Sequence, residues 1–92
     1  MASTNEPLRL VTAEIFERWI EAATRLVEAG GVPAAEARQL GIAIITGLEG
    51  AFVLSRSLRS REPLLATGEA LVAAAEAALA AGRRTSTKGA RR

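Results

Sequence analysis

The 92-residue chain has no cysteine, no histidine, no aspartate and no tyrosine, and its only aromatics are Phe16, Trp19 and Phe52. The first absence excludes disulfides and thiolate metal sites. The second removes imidazole ligands together with Ser-His and Cys-His catalysis. Glutamate is left as the one acidic residue type, and no lysine precedes Lys88. A glutamate with no His, Asp, Lys or Tyr beside it is poor equipment for acid–base chemistry, so the composition predicts a protein that is not an enzyme and needs no cofactor or metal. Phosphate-cradling glycine loops and metal-ligand spacings are missing too. The start carries no basic segment followed by a long apolar one, and the most apolar run, Leu40 to Leu54, is shorter than the ~20 residues that span a bilayer. The expected location is the cytoplasm, with no membrane partner.

Alanine is what the chain has in quantity, 20 residues of it, within a composition 49% apolar and 24% charged. One small domain with so few aromatics builds a marginal core, so self-association is expected. The net charge of +2 conceals a division: residues 1–82 carry seven Arg against ten Glu, whereas residues 83–92 carry five basic residues and no acid. With no apolar residue beyond Ala90, that last segment reads as a basic, disordered tail, of a kind that can also touch phosphates or anionic lipid.

Hydrophobic spacing predicts three helices and no strand, since no stretch alternates with period two. Residues 1–6 are expected to be disordered and residues 7–82 to form the domain, with helices at about 7–29, 33–60 and 63–81. In the first, Leu8, Val11, Ile15, Trp19, Ala22 and Leu26 recur at three- and four-residue intervals behind Pro7, with Glu14, Glu17, Arg18 and Glu21 opposite. Gly30-Gly31 closes it as a left-handed cap. The second opens at Pro33 and is apolar on all sides between Leu40 and Leu54. The third opens at Pro63 and closes at Gly82, with a stripe through Leu64, Leu65, Gly68, Leu71, Val72, Ala75 and Leu79.

A helix that is apolar on every side is buried on every side. Two neighbours from one short chain cannot enclose it, so a second copy is expected. Ala43, Gly47 and Ala51 at four-residue spacing make a smooth stripe, with Gly50 beside it. Glycine inside a helix costs ~1 kcal/mol relative to alanine, which close approach of another backbone accounts for; a kink near 47–50 is the other reading. Glu49 is expected either to meet Arg56 or Arg59 of a twin or to reach solvent at the seam. The candidate dimer interface is therefore Ala43, Gly47, Leu48, Glu49, Gly50, Ala51, Leu54, Leu71, Val72 and Ala75. Phe16, Trp19 and Phe52 are candidates for lining a cavity for a small apolar effector, with core packing as the alternative. Arg56, Arg59 and Arg61 either bind an anion or mark a solvated helix end. No helix presents a base-reading face amid phosphate contacts, so direct DNA binding by this chain is not expected.

Taken in order, Phe16-Glu17-Arg18-Trp19, Glu28-Ala29-Gly30-Gly31, Ala35-Glu36-Ala37-Arg38, Leu48-Glu49-Gly50-Ala51, Ser55-Arg56 and Glu62-Pro63-Leu64 resemble the C-terminal domain of TetR-type transcriptional regulators, in particular the LmrA-like branch. The likeness runs from Leu8 to Leu79. It implies an all-α homodimer whose last two helices, 33–60 and 63–81, form a four-helix bundle across the two-fold axis. It places the helix of Phe16 and Trp19 beside an effector cavity. It also implies an N-terminal helix-turn-helix domain, which this sequence does not contain and through which DNA would be reached. The expected function is dimerisation and partial effector binding in such a regulator. The alternatives are a stand-alone helical module forming heterodimers with full-length regulators, and a peripheral membrane module using the apolar helix and basic tail.

Overall fold

The computed structural model describes residues 5–90, with side chains through Arg84, as three helices: α1 (Glu6–Ala29), α2 (Ala34–Leu58) and α3 (Glu62–Ala90). Among the described residues there is no strand, and the all-α expectation holds. Met1–Thr4, most of the stretch expected to be disordered, lie outside the described residues, as do Arg91 and Arg92. Asn5 and Glu6 instead begin α1. The Asn5 side chain accepts from the Leu8 amide at 3.3 Å, Pro7 lies in the first turn, and Glu6 sits at the positive end of the helix in an ion pair with Arg9 at 2.6 Å.

α1 ends as its two glycines require. The Val32 amide donates to the Val27 carbonyl and the Gly31 amide to the Glu28 carbonyl, both at 3.0 Å, with Gly31 at φ +115°. This pair of bonds is a Schellman motif, and Val27 packs against buried Val32, as the motif's apolar contact demands. Pro33 stands just before α2 rather than inside it. Its carbonyl accepts from the Glu36 and Ala37 amides at 3.0 Å.

α2 stops at Leu58, two residues short of the expected end, in a second Schellman pattern: Ser60 amide to Ser55 carbonyl at 3.0 Å, Arg59 amide to Arg56 carbonyl at 3.4 Å. Here the left-handed position is filled by an arginine, Arg59, at φ 51° and ψ 49°. Ser60 then turns the chain, its Oγ accepting from the Glu62 amide at 3.1 Å.

α2 is the middle rod, packed against α1 on one side and α3 on another. The buried cluster of Val32, Ala37 and Leu40 lies near the α1–α2 turn, with Ile44, Ala75, Ala78 and Leu79 against it. Three glycines permit the close approaches. A Cβ on Gly41 would sit 2.5 Å from Thr24 Oγ1 and 3.2 Å from the Ile20 carbonyl of α1. One on Gly47 would be 3.1 Å from Thr67 Cγ2 of α3, and one on Gly82 would be 3.0 Å from both the Gly31 carbonyl and Pro33 Cδ.

Gly82 therefore does not end α3 where the sequence reading placed its stop. The helix runs on to Ala90, and the missing side chain serves contact with the α1–α2 turn instead. The expected disordered tail, 83–92, accordingly begins inside this helix, and its side chains from residue 85 onward lie outside the described residues.

The three helices make one layer, 58 × 33 × 17 Å. The radius of gyration is 16.7 Å, against about 12 Å for a compact domain of this length. A stable domain normally closes two layers over a core, and among the described residues no large side chain is fully buried.

Candidate functional site

The chain's most distinctive surface is apolar. Leu8, Val11, Ile15 and Trp19 of α1 are exposed, as are Phe52, Val53, Leu54 and Leu58 of α2 and Leu65 and Val72 of α3.

Gly41 faces α1, Gly47 approaches α3, and Ala51 is buried one turn further on. Ala43, Gly50 and Leu54 are exposed, and among the described residues an added Cβ on Gly50 would have nothing within 4 Å. On α3, Leu65, Gly68 and Val72 make a matching stripe, again with open space at the glycine. Together with Leu64, Glu69, Ala73 and Glu76 they line a shallow concavity of about 430 Å³.

The ten interface candidates therefore divide. Among the described residues nothing covers Ala43, Gly50, Leu54 and Val72, and Leu48 and Glu49 are exposed as well, Leu48 on the far side of α2 from Gly50. Ala51, 2% exposed, has no surface left to offer a partner, and Leu71 packs on Gly47 of the same chain. Ala75 borders the buried cluster. The smooth stripe of Gly47 and Ala51 admits the protomer's own α3. Sequence reasoning passed over Gly68 and Leu65 as interface candidates, although their three- and four-residue spacing with Val72 was visible.

The three aromatics do not form one pocket. Phe16 and Trp19 meet edge to face, centroids 5.3 Å apart and planes at 83°. Phe16 also lines a concavity of about 420 Å³ along α1 with Asn5, Leu8, Arg9, Thr12 and Ala13. Phe52 lies elsewhere, in a concavity of about 330 Å³ at the α2–α3 turn with Ser55, Arg56, Arg59, Ser60 and Arg61.

One contact missed by the sequence reading joins two of the blocks quoted above. Arg38 grips Glu17 through its two terminal nitrogens, at 2.8 and 3.2 Å, clamping α2 to α1. The hydrogen bond from Arg38 holds the Glu17 carboxyl below its ordinary value and raises the guanidinium in turn.

α2 and the stretch of α3 from Glu62 to Arg84 are each long and apolar enough to cross a membrane. In α2 the apolar segment is lengthened beyond Leu40–Leu54 by Ala34, Ala35 and Ala37 on its N-terminal side, and in α3 it is built largely of alanine. A core helix of a soluble assembly meets the same description.

Comparison with known proteins bears on the choice. Residues 1–70 match the family described as "Transcriptional regulator LmrA/YxaF-like, C-terminal domain". The chain is 34% identical over 70 residues to an uncharacterised HTH-type transcriptional regulator, YxaF, of Bacillus subtilis, covering 76% of this chain and 37% of that protein. The chain thus spans little more than a third of the curated relative's length, and no solved structure matches it. The matched region takes in α1, α2, the arginine-bearing turn and the first part of α3, and on it the chain belongs to the LmrA/YxaF-like C-terminal domain family of TetR-type transcriptional regulators.

Proposed function

We propose that this chain is a homodimerisation unit of a transcriptional regulator, with part of an effector-binding surface on α1. One observation carries the reading: α2 and α3 each keep an apolar side that the protomer leaves bare, with an unobstructed glycine on each, Gly50 and Gly68. Two such surfaces brought together about a two-fold axis give a four-helix bundle with knobs set over small residues. The seam consists of Ala43, Gly50 and Leu54 from α2 and Leu65, Gly68 and Val72 from α3, with Glu49 on its margin. A self-matching seam, together with the family, favours a soluble protein in the cytoplasm over a membrane-embedded one.

On α1 the exposed Leu8, Ile15 and Trp19, with Phe16 at half-depth, present one apolar side and a single indole. This is the side on which a small apolar effector rests. Binding there alters regulation by shifting a conformational population; no catalysis takes place. DNA contact belongs to a helix-turn-helix domain, as the curated relative's description names one.

Sedimentation equilibrium tests the seam. The intact chain is expected to be a dimer at micromolar concentration, while Leu54→Glu and Val72→Glu each give a monomer. A wild-type monomer that keeps its helicity, or a dimer in both variants, sinks the proposal. Vesicle co-sedimentation separates lipid from a twin as the cover, and the dimer is expected to stay in the supernatant.

A further inference from the structure

The turn between α2 and α3 holds a concavity that dimerisation through the seam does not explain. Its lining is Phe52, Ser55, Arg56, Arg59, Ser60 and Arg61, three cations among six residues, in a volume of about 330 Å³. Among the described residues the ion pairs are Arg9–Glu6 and Arg38–Glu17, so none of these three arginines is matched by a carboxylate. Ser55 Oγ, in the same lining, is shielded from solvent and has no hydrogen-bond partner among the described residues.

Arg59 supplies a separate clue. It occupies the left-handed position of a helix-closing motif that glycine usually fills, at φ 51°. A residue kept in an unfavourable backbone region where a commoner one would fit is a reason to look for work done by its side chain. Arg56 stands on the last turn of α2, where the carbonyl end of a helix welcomes a cation for structural reasons alone. That reasoning does not reach Arg59 and Arg61, which lie beyond the helix.

We infer that this concavity is an oxyanion site, built to take the phosphate group of a small aryl phosphate monoester. Guanidinium forks bind phosphate oxygens in pairs and remain charged at any physiological pH. Phe52, 55% exposed, stands at the rim for the aryl part. The site is separate from the aromatic pair on α1 and does not depend on the dimer.

Titration of inorganic phosphate and phenyl phosphate into the full chain at low ionic strength, followed by ³¹P line broadening, tests the assignment. Saturable binding of both is expected, with phenyl phosphate the tighter. Arg59→Gly relieves the backbone and leaves the helices intact, so it isolates the side chain; about tenfold weaker binding of either probe is expected. Arg56→Ala with Arg59→Gly and Arg61→Ala together should abolish it, and Phe52→Ala should bring phenyl phosphate down to the level of phosphate. Failure of both probes to saturate, or binding that survives the triple replacement and so belongs to the basic residues after Gly82, overturns the inference. So does a wild-type chain that ignores phosphate while Glu49→Gln loosens its dimer, because the arginines would then be serving a twin's carboxylate.

Discussion

Arg59 and Gly41 present opposite cases of backbone against side chain. Arg59 is the one non-glycine residue with positive φ among the described residues, a conformation that costs an L-residue roughly 1–2 kcal/mol. Arg59→Gly should therefore raise stability by about 1 kcal/mol, read from the urea midpoint at unchanged slope. Gly41→Ala should do the reverse, losing about 1–3 kcal/mol, because the new methyl meets Thr24 and the α1 backbone. The Glu17 carboxyl is held low by Arg38. Its contribution to the α1–α2 clamp is complete above the unfolded glutamate value and fades as pH falls through the lowered folded one. An NMR titration of Glu17 should show that lowered midpoint, and Arg38→Gln should return it to the ordinary range. Sequence alone could say that glycines inside α2 meant close approach. It could not say to what, since an absent side chain carries no information about which neighbour needs the room.

The same ambiguity governs α3. Glycine is both a helix stop and a contact point, and Gly82 was read as the first while the fold uses it as the second. Gly82→Val should push α3 away from the Gly31–Pro33 turn and cost about 1–3 kcal/mol, and hydrogen exchange should quicken at Leu79 and Ala80 before it does in α1. The ends of α1 were legible to within a residue or two because Pro7 and the Gly30-Gly31 pair act close to where they stand, whereas the Asn5 cap lies in a stretch expected to be disordered. The end of α2 was harder to place, because its left-handed residue is an arginine and nothing in that residue type announces the conformation. The aromatic pair on α1 was legible from three-residue spacing, whereas the separation of Phe52 from it depends on how two helices lie against each other.

At the scale of the whole molecule, α1 and α3 each pack on α2 without enclosing it. Among the described residues Ala43, Gly50 and Leu54 of α2 and a stripe of α3 stay exposed. Gly47→Leu, an obvious probe of a small-residue seam, would disturb α3 of its own chain and so could not distinguish a lost dimer from a lost fold. Gly50→Leu is the cleaner probe, since the side chain enters open space in the protomer. Helicity should be retained while the dimer dissociates, as circular dichroism and sedimentation would register together.

A layer 17 Å thick has little interior beyond the Val32–Ala37–Leu40 cluster. With the proposed dimer, its heat resistance would depend on how often two molecules meet, as well as on the polypeptide. Each tenfold dilution of the proposed dimer should lower the melting temperature by about 4 °C, so that in a cell the margin against heat would follow the abundance of the chain.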